Sequence, residues 1–342
     1  MTSPLIRLGV AGLGLAGSMV LDGVRGDGRV TVTAGADPDV RTRAAFTQRS
    51  GAPAYPGVED LCRDPGVDAV WIATPTRFHR RHVETAAAAG KHVIVEKPMA
   101  SSVDDCDAMI AAAARAGVLL VAGGVRSLDP ALVAMREVVD SGAIGRLRHV
   151  STSAHTGWML RQRSAAEMDE ALGGGIVFNQ APHQIDTVRG LVGGRAALSV
   201  RAETAAWSET RAGVGSFRAD ILFEDGVTAR LDYDGYGYLR SSDLVGNGPA
   251  AVLADAGLVI ASGSRGAVRP AEKHLQVVGD DGEQEIPVPA GDATTGAVSE
   301  LVAALRPGAP APVHSGEWGR ATLALVVAIL ESARTARTIP LG

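Results

Sequence analysis

The chain has 342 residues, and its 33 Lys and Arg residues against 38 Asp and Glu residues give a formal net charge of −5. A mildly acidic chain without a concentrated basic surface argues against nucleic-acid binding. Apolar residues make up 46% and charged residues 21%, which is typical of globular proteins, and this length predicts two domains.

The apolar segments are too short to cross a membrane. The longest, Ala321–Leu330, is about half the length that a spanning helix needs, and it predicts a buried helix. Arg7 interrupts the apolar N-terminal segment and no basic stretch precedes it, so we expect no signal peptide. Two cysteines, Cys62 and Cys106, do not form a disulfide framework. These features predict a cytoplasmic protein without membrane contact.

Short apolar segments alternate with helical segments over the first 122 residues. Strands are predicted at Leu5–Ala11, Val30–Ala36, Ala69–Ala73, His92–Val95 and Val118–Ala122, and helices between them include Arg77–Ala89 and Val103–Arg115. This alternation predicts a parallel sheet covered by helices on both faces. The first domain, residues 1–123, is therefore predicted to have a Rossmann fold.

The pattern changes after Gly123-Gly124. Predicted elements are the helix Pro130–Asp140, the strand Leu147–Ser153, the helix Pro182–Leu191 and two final helices near Thr294–Leu305 and Gly316–Arg334. Between about Leu198 and Ile286, short alternating segments are separated by turn signals, which predicts an antiparallel sheet with hairpins. The predicted fold is therefore α/β, with a second α/β domain, residues 124–342, built on a large, mostly antiparallel open sheet.

A glycine-rich loop lies between the first predicted strand and the first predicted helix. Its six residues match G-x-G-x-x-G: Gly12, Leu13, Gly14, Leu15, Ala16 and Gly17. In this context the glycines allow a tight turn, close approach of a pyrophosphate and close packing of helix on strand. We expect these six residues to bind a dinucleotide, and a purely structural turn is the alternative.

Asp37 follows the second predicted strand. A carboxylate at that position accepts hydrogen bonds from the adenosine ribose and repels a 2′-phosphate, which favours NAD over NADP. Arg41 lies one turn further and could accommodate a phosphate, so NADP stays possible. A helix N-cap in front of Pro38 is a second role that Asp37 could have.

Polar segments follow two later strands, at Ala73-Thr74-Pro75 and Glu96-Lys97-Pro98. Ligands of open α/β sheets bind beyond the carboxyl ends of the strands. We expect Thr74, Pro75, Glu96 and Lys97 to border the cofactor, and His79 to bind it as well. A position on the helix surface is the alternative for His79. Together with His82 it would supply only two metal ligands, so no metal site is predicted.

Lysine is scarce, because the chain has only Lys91, Lys97 and Lys273. Burial can lower the pKa of a lysine amine, whereas a guanidinium stays charged. At a strand end beside a nicotinamide, Lys97 could polarise a carbonyl or help to remove a hydroxyl proton. A surface ion pair with Glu96 is the alternative, and the strand-end position favours a function.

These motifs, in this order and spacing, resemble the glucose–fructose oxidoreductase/inositol dehydrogenase (Gfo/Idh/MocA) family over nearly the whole chain. The resemblance implies a Rossmann domain followed by an α/β domain whose open antiparallel sheet often forms an oligomer interface. It therefore implies a homodimer or homotetramer. It also implies that the Lys97–Pro98 peptide bond is cis.

The segment from Gly173 to Asp186 contains the chemistry expected of the second domain. Its three leading glycines would let a ligand approach the backbone closely. His183 and Asp186 are three residues apart on a predicted helix and can share a face. A histidine with a pKa near neutrality is suited to take an alcohol proton while hydride leaves the carbon. A core or capping histidine is the alternative.

The same segment is similar to the family pattern G-G-G-x-x-x-D-x-G-x-H-x-x-D, in which His183 and Asp186 match. Asn179 replaces the usual Asp and Ala181 replaces the usual Gly. Asparagine can bind a substrate but cannot act as a base, which argues against an inositol- or sugar-type proton relay. We therefore expect His183 to be the base with Lys97 as its electrostatic partner, and Asn179 and Gln180 to orient the substrate.

Arginines and one tryptophan complete the expected substrate site. Trp158 offers an aromatic face, and guanidinium groups that could bind a carboxylate belong to Arg126, Arg161, Arg163 and Arg189. This set suits a planar anionic substrate better than a neutral sugar. Surface Arg–Glu pairing is the alternative for each arginine.

Four short motifs are similar to the phthalate cis-4,5-dihydrodiol dehydrogenase branch of the family. They are W-x-x-R-x-R from Trp158, L-G-G-G from Leu172, Q-A-P-H-Q-x-D from Gln180, and Ser264-Arg265-Gly266. This similarity implies removal of hydride from a ring carbon bearing hydroxyl, with rearomatisation to a catechol.

The predicted function is that of an NAD(P)-dependent dehydrogenase acting on CH–OH or CH–CH groups of a small molecule. A sugar, inositol or aldose dehydrogenase of the same family is the alternative within that class. A catalytically silent NAD(P)-binding regulatory protein is the alternative outside it, and the replacement at Asn179 is the feature that keeps this alternative open.

Overall fold

A computed structural model of the chain describes residues 5–209, 213–237, 258–271, 274–280, 282–289 and 293–341. Contacts divide the chain into one unit of residues 1–125 with 292–323, and a second unit of residues 126–291 with 324–342. The predicted division between residues 123 and 124 lies close to this change of unit. It assigned residues 292–323 to the second domain, whereas their contacts assign them to the first.

The first unit is a parallel sheet with helices. Its elements are β1 (Ile6–Ala11), α1 (Leu15–Gly23), β2 (Val30–Ala36), α2 (Val40–Ser50), β3 (Ala54–Tyr55), α3 (Val58–Arg63), β4 (Ala69–Ile72), α4 (His79–Ala88), β5 (His92–Val95), α5 (Val103–Ala116), β6 (Leu120–Ala122) and α9 (Ala293–Ala304). The strand order is β3-β2-β1-β4-β5-β6, and every pair is parallel. The chain reverses its direction of winding at β1, between β2 and β4. This arrangement confirms the predicted Rossmann-type domain.

Contacts distant in sequence explain why residues 292–323 belong to the first unit. His314 donates its backbone N–H to the Glu300 carboxylate, and its ring Nδ1 lies 2.7 Å from the same carboxylate. The carbonyl oxygen of His314 accepts a hydrogen bond from Ala122 on β6. Arg320 forms an ion pair with Asp107 on α5. No local sequence pattern indicates such partners.

The second unit is built on a nine-stranded sheet within the described ranges. Its elements are α6 (Pro130–Asp140), β7 (Leu147–His155), α7 (Ala165–Met168), α8 (Gly175–Val192), β8 (Ala197–Ala205), β9 (Ser216–Phe223), β10 (Thr228–Asp234), β11 (Leu258–Gly263), β12 (Gly266–Pro270), β13 (His274–Gly279), β14 (Gly282–Pro287) and β15 (Ile339–Pro340). The order is β14-β13-β12-β11-β7-β10-β9-β8-β15. The pair β7–β10 is parallel, and the other pairs are antiparallel. The predicted mostly antiparallel sheet is confirmed. A final helix, α10 (Gly316–Thr335), has residues in both units.

Strand periodicity gives the second sheet two different faces. On β9 the side chains of Phe217, Ala219, Ile221 and Phe223 are buried, and the residues between them are exposed. Because successive side chains point to opposite faces, one face contributes to the core and the other carries polar side chains.

Helix α8 differs from its prediction. It begins at Gly175, seven residues before the expected start at Pro182, and Pro182 lies inside it. Proline has no N–H to donate to the carbonyl of Phe178, four residues earlier, so one helical hydrogen bond is missing there. The almost continuous burial of Ile176–Phe178 and Ala181–Val188 holds the helix together despite this loss.

The described ranges contain two free cysteines and no helix that could span a membrane. Cys62 and Cys106 are buried free thiols, and burial raises their pKa values to about 11 and about 12. None of the helices in the described part of the chain combines the length and apolarity needed to span a bilayer.

Candidate active site

The glycine-rich loop lies over the end of β4. Gly12 has φ of +87°, and a Cβ added there would lie 2.6 Å from the carbonyl oxygen of Ala73. The N–H of Gly12 donates to the carbonyl oxygen of Ala36 at the end of β2. Among the described residues, no side chain caps the N-terminus of α1, and its first turn contains no acidic residue. The free amides of a helix N-terminus bind anions such as a pyrophosphate.

Asp37 holds this loop in place. Its Oδ2 accepts a hydrogen bond from Leu13 N–H at 3.0 Å, and its Oδ1 accepts one from Asp39 N–H at 2.9 Å. The N-cap of α2 is Asp39, whose side chain accepts from Arg41 N–H. The N-cap role considered for Asp37 therefore belongs to Asp39. The amide of Leu13 is engaged by Asp37 and is not directed at a phosphate.

The environment of Asp37 favours a ribose over a ribose phosphate. Arg43 donates through Nη1 to the carbonyl oxygens of Asp37 and Pro38, at 2.8 and 3.0 Å. This guanidinium thus stabilises the backbone of the turn. A 2′-phosphate at this place would face the fixed carboxylate of Asp37.

The ends of β4 and β5 are connected by a buried indole. Trp71 donates from Nε1 to Glu96 Oε1 at 3.0 Å, and Glu96 Oε2 accepts from the N–H of Lys97 at 3.3 Å. Trp71 is not among the predicted site residues, although an indole among the aliphatic residues of a buried strand indicates a polar partner. The predicted Glu96 site residue is thus bound to the protein's own groups. The Lys97–Pro98 peptide bond is cis, as the resemblance implied.

Lys91 and Lys97 lie in different environments. The Nζ of Lys91 donates to the carbonyl oxygens of Asp64 and Val67, at 3.0 and 2.7 Å. Lys97 is half-buried just beyond β5. Lys273 lies outside the described residues. Lys97 is therefore the lysine placed where an open parallel sheet binds its ligands.

His79 does not occupy the role predicted for it. The side chain is 1% exposed, its Nε2 lies 2.7 Å from the carbonyl oxygen of Thr74, and its Nδ1 lies 3.1 Å from that of Met99. Because both ring nitrogens face backbone oxygens, His79 has no ring nitrogen directed at a cofactor. Burial lowers its pKa, and the facing backbone oxygens oppose this shift. The alternative of a helix-surface histidine is also wrong.

Helix α8 brings Asn179, His183 and Asp186 onto one face, because they are four and three residues apart. The Oδ2 of Asp186 accepts from the backbone N–H of Ser127 at 2.7 Å and from its hydroxyl at 2.8 Å. Both residues are buried. These bonds hold the turn that contains Arg126 against α8.

Asn179 and Gln180 are half-buried on the first turns of α8, whereas His183 is buried. The glycines before them serve the protein's own chain. A Cβ at Gly174 would lie 2.6 Å from the carbonyl oxygen of Glu167, and Gly174 N–H donates to Asp169 at 2.8 Å. At Gly174 the protein's own backbone therefore occupies the space that was expected to be open to a ligand.

The aromatic face of Trp158 is covered. Trp158 is buried, and the guanidinium carbon of Arg163 lies 4.0 Å from the ring centroid. Arg163 also donates to the carbonyl oxygen of Trp158 and to Glu167, and the exposed Arg161 lies 3.6 Å from Glu167. Arg161 and Arg163 therefore pair with Glu167, which is the alternative that was considered for them.

Two family models match the sequence. One, described as an oxidoreductase family with an NAD-binding Rossmann fold, matches residues 6–123. The other, described as the GFO/IDH/MocA C-terminal domain, matches residues 132–245.

Two curated proteins and one solved structure are similar to this chain. The chain is 40% identical over 242 residues to 1-carboxy-3-chloro-3,4-dihydroxycyclohexa-1,5-diene dehydrogenase of Comamonas testosteroni, covering 70% of this chain and 61% of that protein. It is 30% identical over 224 residues to 1,5-anhydro-D-fructose reductase of Ensifer adhaerens, covering 64% and 65%. A crystal structure of a candidate dehydrogenase from Bordetella bronchiseptica RB50 superposes with a TM-score of 0.90 at 31% identity, covering 98% of this chain and all of the other. The matches to the two curated relatives span less than two thirds of those proteins.

The contacts of Asp37 predict how its replacement changes the binding of NADH and NADPH. Replacing Asp37 by Ser removes the acceptor for the Leu13 amide as well as the carboxylate that is predicted to bind the ribose. We expect the Kd for NADH to rise about 10- to 100-fold, since hydrogen bonds to charged groups contribute about 1.5–3 kcal/mol. NADPH should not become the preferred cofactor. Fluorescence titration with both dinucleotides measures this.

Asp39→Ser is the matched control, because serine also caps helices well and should leave NADH affinity within about twofold. A variant Asp37→Ser that bound NADPH more tightly than the unchanged protein binds NADH would contradict the account.

Proposed function

Because the chain belongs to the Gfo/Idh/MocA oxidoreductase family, we propose that it is an NAD-dependent dehydrogenase that oxidises a hydroxyl-bearing carbon of an anionic cyclic substrate. The observation that carries this proposal is the position of Lys97. This amine lies beyond β5, in the same parallel sheet whose strands β1 and β2 end at the glycine-rich loop and Asp37. Cytoplasmic location stays a prediction.

The first unit has the features that a dinucleotide requires. Gly12 leaves space where a side chain would collide with the backbone, and the N-terminus of α1 offers amides to a pyrophosphate. Asp37 is fixed at the end of β2 for the ribose diol. NAD, when bound, supplies the acceptor for the hydride. Thr74 and Pro75, which follow β4, are proposed to border its nicotinamide.

Proton removal is assigned to His183, and Lys97 is assigned the stabilisation of the developing alkoxide. An imidazole titrates near neutral pH and can accept the hydroxyl proton, which a guanidinium cannot do. Asn179 lies one turn before His183 and can donate or accept a hydrogen bond to a substrate hydroxyl. Gln180 is proposed to assist it.

The substrate class is proposed to be a carboxylated cyclohexadiene cis-dihydrodiol. The relative from Comamonas testosteroni is named for a carboxylated dihydroxycyclohexadiene. Arg126 supports a carboxylate ligand, because the buried Asp186–Ser127 bonds fix its turn beside α8. A guanidinium binds a carboxylate through two parallel hydrogen bonds. Oxidation of such a diol would produce a catechol, so the anion lies on a ring that becomes aromatic.

A sugar or inositol dehydrogenase is the second candidate. The relative from Ensifer adhaerens, which is named for a reaction on an anhydro-sugar, favours it. Asn179 disfavours it, because the family pattern that we compared has a carboxylate at this position and asparagine accepts no proton.

The exposed face of the second sheet is proposed to join copies of the chain in a homodimer or homotetramer. Paired residues across β8, β9 and β10 form two adjacent rows of opposite charge pattern: Arg201, Asp220 and Arg230 in one, and Glu203, Arg218 and Asp232 in the other. Ion pairs within the rows include Arg230–Asp220 at 2.8 Å and Arg218–Asp232 at 2.6 Å. A second copy that places each row opposite the other matches every charge with its opposite.

Replacing Lys97 or His183 should lower turnover but leave cofactor binding unchanged. We expect Lys97→Met and His183→Asn each to lower kcat about 10²- to 10⁴-fold, the range for general acid–base contributions. Lys97→Arg should restore little activity, because a planar guanidinium with a delocalised charge does not place a compact positive charge where the ammonium lies. Absorbance at the reduced nicotinamide band gives kcat, and NADH titration verifies that binding persists. Unchanged turnover in either variant would remove that residue from the mechanism.

Arg126→Ala should affect one type of substrate selectively. The loss of a charge-assisted hydrogen bond predicts that kcat/KM for a carboxylated dihydrodiol falls about 10- to 100-fold. The same ratio for a dihydrodiol without a carboxylate should change less than about threefold. Arg161→Ala is measured in parallel, and a larger selective effect there would assign the carboxylate to Arg161 and contradict the present assignment.

The charge rows predict how the assembly responds to substitution. Asp220→Arg puts three arginines in one row and should shift the protein to monomers in light scattering after size-exclusion chromatography. Asp60→Arg, which changes an exposed charge on α3 of the first unit, should leave the assembly intact. A monomeric unchanged protein would contradict the proposed interface.

A further inference from the structure

Two turns that follow adjacent strands are connected through one side chain. Strands β4 and β5 are parallel neighbours, so the turn at Thr74 and the turn at Lys97–Met99 lie side by side. His79 is the first residue of α4 and is fully buried beneath them. Its ring nitrogens lie 2.7 Å from the Thr74 carbonyl oxygen and 3.1 Å from the Met99 carbonyl oxygen.

The second of these turns is also restricted on its other side. Met99 is buried, and a Cβ added at Gly319 of α10 would lie 2.6 Å from its sulfur atom. The side chain of Met99 thus packs on α10 while its carbonyl oxygen faces His79. Lys97 is two residues before Met99, and its backbone N–H donates to Glu96.

From this arrangement we infer that His79 is a positioning residue, which fixes the Lys97 turn relative to the Thr74 turn and thereby sets the location of the Lys97 amine. This inference rests on the proposed function for its catalytic consequence. His79 itself touches neither substrate nor cofactor, because its ring is enclosed by the protein. Small displacements of catalytic groups matter, since a misplacement of about 1 Å can cost about 100-fold in rate.

Three substitutions separate the two contacts that the ring nitrogens make with carbonyl oxygens. His79→Leu removes both, and we expect kcat to fall about 10- to 100-fold with the Kd for NADH changed less than about threefold. In His79→Asn the amide nitrogen is placed near the position of Nδ1, facing Met99, and in His79→Gln near that of Nε2, facing Thr74. Because Met99 belongs to the Lys97 turn, Asn should restore more of kcat than Gln.

A measurement without turnover isolates the position of Lys97 from the identity of the substrate. Trace acetylation with acetic anhydride, followed by peptide mass spectrometry, reports the reactivity of each lysine amine. Lys91 is the internal reference, because its bonds to Asp64 and Val67 do not involve these turns. We expect the Lys97-to-Lys91 labelling ratio to change at least about threefold in His79→Leu, and to return towards the original value in His79→Asn.

His92→Leu is the matched control. His92 is a half-buried histidine at the opposite end of β5, and its Nδ1 accepts a hydrogen bond from Leu119 N–H. This variant should lower the thermal midpoint but leave the labelling ratio and kcat within about twofold. An unchanged ratio and kcat in His79→Leu, or an equal change in His92→Leu, would overturn the inference. Absence of dehydrogenase activity in the unchanged protein would refute the proposed function, and the labelling result would still stand.

Discussion

Parallel pairing of β1 with β2 and with β4 is the constraint on which the first unit depends. Parallel strands end at the same edge of a sheet, so the glycine-rich loop, Asp37 and the turns after β4 and β5 are brought together by backbone geometry alone. Hydrogen bonds then fix these segments against one another. Asp37 holds the loop, Trp71 holds Glu96, and His79 contacts the turns on both strands.

Two buried polar side chains, one in each unit, contact the backbone of a turn. Asp186 accepts two hydrogen bonds from Ser127, and His79 faces two carbonyl oxygens. A buried carboxylate is tolerated only where its oxygens are satisfied, so these contacts are sensitive to substitution. The side chains of Arg126 and Lys97 belong to these turns, so the buried contacts fix the backbone from which each side chain extends. Such fixed attachment supports the proposed binding and catalytic roles.

Local motifs were sufficient to predict the sheet of the first unit, the position of the loop and of Asp37, and the antiparallel character of the second sheet. These features depend on residues within one strand, turn or helix. The burial of His79 and the stacking of Arg163 on Trp158 could not be predicted. The residues next to each ring in sequence do not indicate which groups cover it in the folded chain. Contacts place residues 292–323 in the first unit for the same reason, since His314 and Arg320 have partners far away in sequence.

Substrate choice is the claim that distinguishes this protein within its family, and it rests on Arg126, Asn179 and the relative from Comamonas testosteroni. The most direct measurement is NAD reduction, followed by absorbance, with a carboxylated cyclohexadiene cis-dihydrodiol, an uncarboxylated aromatic dihydrodiol, myo-inositol and several aldoses. The account predicts turnover of the carboxylated dihydrodiol with kcat/KM at least about tenfold above every other compound, as expected for one charge-assisted contact. Turnover confined to inositol or the aldoses would contradict it.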